Sequence, residues 1–117
     1  MKHLFAWLSI KITSLWPTNH NLSRMRKHNA IQLGTEQLKA ICAAIKSKAP
    51  CNLLVFGLGN DSAFWSNLNK GGVTIFLEDD PTWFQEITKR FKNIKAFPVH
   101  YDTQRKDWKT YLNDTSY

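Results

Sequence analysis

Acidic residues are nearly missing from the front of this chain: residues 1–50 hold eight Lys/Arg against the single acid Glu36, a net of +7. Residues 51–117 hold eight of each sign, so the whole basic excess is N-terminal. Cysteine is scarce, with only Cys42 and Cys51, too few and too far apart for a zinc cluster. Two positions do not define a disulfide either, and both are expected to be buried thiols. The histidines at 3, 20, 28 and 100 lack metal-ligand spacing, so no metal site is expected. Long apolar runs are absent as well. Residues 4–16 are rich in Leu, Ile, Phe and Trp, but Ser9, Lys11 and Thr13 interrupt them, far short of the ~20 residues a spanning helix needs. No transmembrane anchor is expected there, and no small-x-small cleavage site follows to make it a signal peptide. The reading is an interfacial helix touching a membrane peripherally, or a flap over the sheet.

Within the basic segment, Arg24-Met25-Arg26-Lys27-His28 is a short cationic cluster. Such runs are usually solvated surface, and a nucleic-acid partner is not expected. A basic arm also attracts anionic membranes or uronates. The charge break divides the chain into a basic, weakly amphipathic segment, residues 1–31, and an α/β unit, residues 32–117.

What is present concentrates in residues 52–79. The apolar run 52–56 has the length and composition of a buried parallel strand, and Gly57-Leu58-Gly59 follows at once. Glycine at 57 allows a positive φ, and glycine at 59 removes a Cβ that would keep a ligand from the backbone. Asn60, Asp61 and Ser62 are all good N-cap types, so a helix is expected over 62–69 with its first amides facing the ligand. Gly71-Gly72 ends it, residues 73–77 form a second strand, and Glu78 stands at the strand's end, 21 positions after Gly57. An acid ~20 residues past the glycine turn commonly accepts hydrogen bonds from ribose hydroxyls. Two glycines after a strand also serve turn geometry alone. The joint pattern points to a nucleotide-type cofactor, without choosing between NAD and S-adenosylmethionine. A pyrophosphate would favour a third glycine near 62, where Ser stands, which tilts the choice toward S-adenosylmethionine.

Further elements are expected as a helix over 35–48, a helix over 81–91 with Asp80 capping it ahead of Pro81, a strand over 94–97 and a helix near 106–112. Trp65 and Trp83 have the spacing of core residues. His100 and Asp102, just past the third strand, are the candidates for a general base, the alternative being a strand-to-helix turn capped by Asp102 or Thr103.

The run from Pro50 through Cys51 and Asn52 to Phe56-Gly57-Leu58-Gly59-Asn60-Asp61-Ser62, then Trp65, Leu68-Asn69, Gly71-Gly72, Thr74, Phe76-Leu77-Glu78-Asp79-Asp80-Pro81 and Trp83, closely resembles the plant polysaccharide-biosynthesis family that includes glucuronoxylan 4-O-methyltransferases. Val99, Tyr101 and Thr103 extend the likeness faintly, to roughly residues 32–112. The resemblance implies an S-adenosylmethionine-dependent O-methyltransferase acting on glucuronic acid side chains of xylan, with a Rossmann-like, class I methyltransferase-like fold and a Golgi location. It carries Gly57, Gly59 and Asp61 onto the cofactor loop and Glu78 onto the ribose-binding acid. Asn60 stands where the family usually has His, and Asp79 where it has a second Glu. Only three strands can be counted, so the expectation is the N-terminal half of a doubly wound sheet carrying the cofactor side of a site, with the base elsewhere in the family's domain. The rival from another class is a noncatalytic interaction module with a basic arm.

Overall fold

The computed structural model describes residues 19–115 as a three-stranded parallel sheet with a layer of helices on one side and a short exposed helix at the C-terminal end, the arrangement of an α/β protein. In chain order the elements are α1 (Asn19–His28), α2 (Thr35–Lys48), β1 (Asn52–Phe56), α3 (Ser62–Leu68), β2 (Val73–Glu78), α4 (Pro81–Arg90) and β3 (Lys95–Pro98). A 3-10 turn (Arg105–Asp107) then leads into α5 (Trp108–Leu112). The strands lie in the order β1-β2-β3, with Val55 beside Phe76 and Phe76 beside Ala96. The third strand begins at Lys95, one residue later than the apolar pattern suggests, because Ile94 packs against the core from the preceding turn.

Residue spacing explains the layers. In α2, Leu38, Cys42 and Ile45 recur at helical intervals and all are buried. At its start Gly34 N–H donates to Gln37 Oε1 at 2.8 Å, and it stops ahead of Pro50, which has no N–H to continue it. Leu22 and Met25 from α1 and Ile31 join the same cluster, so the cationic stretch 24–28 lies on a helix docked on α2, with Met25 in the core and Arg24, Lys27 and His28 exposed. Phe76, fully buried at the centre of β2, meets Trp65 of α3 and Ile87 of α4 in this cluster, with Leu53, Val55 and Ala96 against it.

Side chains on a strand alternate, and paired residues in a parallel sheet share a face. The register therefore puts Leu54, Phe56, Val73, Ile75, Leu77 and Phe97 together on the opposite face. Among the described residues nothing covers it: Leu54 is 52%, Phe56 72% and Phe97 53% exposed. The outer edge of β1 is likewise unpaired among the described residues.

Asn69, only 1% exposed, ties the entrance of β1 to that of β2. Its Oδ1 accepts from Cys51 N–H at 2.9 Å, and its Nδ2 donates to Cys51 O at 2.8 Å and Thr74 Oγ1 at 3.0 Å. Cys51 is half-buried, with Sγ 3.5 Å from Asn69 Oδ1, so only Cys42 is the enclosed thiol expected for both. Burial pushes the Cys42 thiol up from 9.0 to about 11, against a smaller downward pull from Lys46. An acid raised in the folded state ionises first in the unfolded chain, so stability is unaffected below pH ~9 and falls as pH rises from there through about 11. Urea midpoints measured at pH 8 and 10.5 are expected to drop less for Cys42→Ala than for the parent chain; equal drops would assign the loss to other groups.

Candidate cofactor site

The glycine turn after β1 is locked from three sides. Gly57 takes φ +99°, which the missing Cβ makes accessible, and its N–H donates to Leu77 O at 2.6 Å. Leu58 N–H donates to Glu78 Oε2 at 2.7 Å, and Gly59 N–H donates to Ser62 Oγ at 2.8 Å. Ser62, 1% exposed, thus braces the turn with its hydroxyl, while Asp61 is the residue from which α3 starts.

Glu78 is buried at the end of β2, directly beside the turn, as its distance from Gly57 predicts. Its second oxygen, Oε1, accepts from Asp80 N–H at 2.9 Å. A carboxylate offers about four acceptor positions, of which these two amides use two. Asp80 caps α4 by accepting from Trp83 N–H at 2.8 Å, with Pro81 in the first turn, as the Asp-Pro order indicates. The Trp83 indole N–H returns to the turn and donates to Leu58 O at 2.7 Å. Leu58, Glu78, Asp80 and Trp83 therefore close a ring of hydrogen bonds that joins the turn, the end of β2 and the start of α4. Sequence reasoning assigned Trp83 to packing; its indole contact had no signal beyond the Asp-Asp-Pro-x-Trp spacing that brings it over the turn.

The remaining candidates lie around this ring. Asn60 Oδ1 accepts from Arg90 Nη1, Asn60 Nδ2 donates to Ala30 O at 3.4 Å, and Arg90 also pairs with Glu86 at 3.2 Å. Trp65 is in the core. His100 and Asp102 are exposed on the segment after β3, and Val99 N–H donates to Glu78 O at 2.8 Å, which brings that segment to the same end of the sheet. A groove of about 490 Å³ runs between α2 and β1 to the turn, lined by Leu33, Ile41, Val55, Gly57, Asp61 and Trp65 among others. A Cβ at Gly57 would meet nothing within 4 Å, so the turn opens onto free space. Among the described residues no three His, Cys, Asp or Glu side chains cluster as metal ligands, and no helix is long and apolar enough to cross a membrane.

A parallel sheet with flanking helices, whose first strand enters a glycine turn closed by an acid from the second, defines an α/β protein. The profile of the IRX15/IRX15L/GXM family matches residues 36–116, and the chain belongs to that family. It is 52% identical over 63 residues to glucuronoxylan 4-O-methyltransferase 2 of Arabidopsis thaliana, covering 54% of this chain and 22% of that protein. It is 42% identical over 76 residues to arabinogalactan O-methyltransferase 2 (65% and 26%) and 34% identical over 83 residues to protein IRREGULAR XYLEM 15 (68% and 25%), both from the same plant. The chain thus spans about a quarter of the length of these relatives. No solved structure matches it.

Proposed function

We propose that residues 32–117 form the cofactor side of an S-adenosylmethionine-dependent O-methyltransferase site, within a Rossmann-like sheet, serving a glucuronic acid-bearing polysaccharide of the glucuronoxylan kind. The relatives' activities support the reaction class. The observation that carries the choice of cofactor is the state of the turn: the N–H groups of Gly57, Leu58 and Gly59 are all engaged by protein acceptors. Such a turn has little to offer a pyrophosphate, which is held by free amides, whereas a phosphate-free cofactor asks only for close approach and an acceptor for its ribose.

When bound, S-adenosylmethionine supplies an electrophilic methyl group to a sugar hydroxyl. On this reading Glu78 accepts from the ribose hydroxyls through the lone pairs left over from Leu58 and Asp80. Gly57 leaves room for the cofactor, whereas Gly59, against the sequence expectation, leaves room for the Asp61 carboxylate, whose Oδ1 lies 2.7 Å from where a Cβ at 59 would stand; Asn60, Asp61 and Ser62 hold the backbone around the turn. A general base takes the proton released by the acceptor hydroxyl; within these residues His100 and Asp102 are the candidates, and the rest of the family's domain is the other source. Methyl transfer depends mostly on alignment, which is why a rigid turn matters more here than a reactive side chain. The reading carries with it a Golgi location for the reaction.

Calorimetric titration of the folded chain with S-adenosylmethionine, with NAD as the comparison, tests it. Selective, saturable heat with S-adenosylmethionine is expected; no binding by a chain whose circular dichroism shows it folded would reject the assignment.

A further inference from the structure

The Leu58–Gly59 peptide is gripped at both ends, its carbonyl by the Trp83 indole and its N–H by the Ser62 hydroxyl. The grip answers a weakness of the sequence. Glycine at 59 lets that peptide plane turn over easily, and turning it would swap the positions of the Leu58 carbonyl and the Gly59 N–H. Ser62 does not resist the swap: a hydroxyl accepts from an N–H and donates to a carbonyl equally well. An indole N–H only donates, so after a flip Trp83 would face another donor. Of the two contacts, Trp83 alone distinguishes the orientations. It is itself held by Asp80, which Glu78 anchors.

We propose that Trp83 is a positioning residue that fixes the orientation of the Leu58–Gly59 peptide and so keeps the turn in the one shape that receives the cofactor. The functional half of this inference rests on the S-adenosylmethionine reading; the peptide orientation does not. A turn that samples two orientations binds more weakly in proportion to the fraction in the competent one.

Trp83→Phe is the informative change, because it keeps an aromatic ring for packing while removing the donor. Binding of S-adenosylmethionine is expected to weaken about tenfold, the value of one neutral hydrogen bond, and the melting temperature to fall by roughly 4–8 °C for the same loss. In ¹⁵N-labelled protein the Gly59 amide signal is expected to double in Trp83→Phe. In the parent chain the Trp83 indole proton is expected to exchange far more slowly than that of the exposed Trp108. A packing role alone would leave the affinity of Trp83→Phe as in the parent, with a single Gly59 signal displaced only by the changed ring current. The proposal is overturned if the Trp83 indole exchanges as fast as Trp108, or if the Gly59 signal stays single after the substitution. If the parent chain binds no S-adenosylmethionine, the functional reading fails, and the two exchange and shift measurements still decide the orientation.

Discussion

Glu78→Ala is expected to abolish cofactor binding and to lower the melting temperature in the same variant. A carboxylate serving only a ribose would be removable at no cost to the fold. Here both oxygens accept from backbone amides, Leu58 N–H at 2.7 Å and Asp80 N–H at 2.9 Å, in a residue that is 6% exposed. Hydrogen bonds to a charged acceptor contribute about 1.5–3 kcal/mol each, and a buried N–H left without a partner loses its hydration as well. A combined cost of about 3 kcal/mol is expected, which in a domain of this size lowers the melting temperature by more than 10 °C. Glu78→Gln should fall between, because its single carbonyl oxygen serves one amide while its NH₂ confronts the other. Thermal unfolding followed by circular dichroism, beside calorimetric titration, separates the two roles. Lost binding with an unchanged melting temperature would mean that the amide contacts stabilise nothing; a lowered melting temperature with intact binding would remove Glu78 from the ribose.

Gly72→Ala is expected to be at least as damaging, at a position with no part in the site. Its φ is not one that demands glycine; the demand is space. A Cβ there would overlap the Cys51 carbonyl oxygen and come within 2.6 Å of the Cys51 nitrogen and 2.7 Å of Asn69 Oδ1. These are backbone atoms and a fully engaged amide, and none can step aside without breaking the Asn69 clasp or the Val73 N–H to Cys51 O hydrogen bond of 3.0 Å. Overpacking of this kind costs typically about 1–3 kcal/mol, and the loss of the clasp puts this site at the upper end. Chemical denaturation should show the midpoint falling with little change in slope. A midpoint within experimental error of the parent would show that the two strand entrances can separate freely.

The elements that could be read in advance are those fixed by local chemistry. The run at 52–56, the glycines at 57 and 59, the acid at 78 and the Asp80-Pro81 start of α4 lie where their spacing predicts. The helix α1 was not legible. Its two buried residues, Leu22 and Met25, are a sparse signal within a cationic stretch, and their apolar face is defined only by α2. The contents of the site were legible as residue types but not as partners. Glu78 reads as a ligand-binding acid, yet its first engagements are with the protein's own amides, and Ser62 reads as a cap but braces Gly59. Both depend on how the turn folds back between two strands, information that spacing along one chain does not carry. Asn69 is a similar case: the last residue of the helix expected over 62–69, and a cross-strand clasp once β1 and β2 lie side by side.

The uncovered sheet face bears on the life of this polypeptide in a cell. Leu54, Phe56, Val73 and Phe97 line up on a face that nothing covers among the described residues, and an exposed apolar surface of this kind is what chaperones grip. Its abundance would then follow the contest between whatever shields that surface and the proteases that survey it, so cellular levels and melting temperature need not rise and fall together.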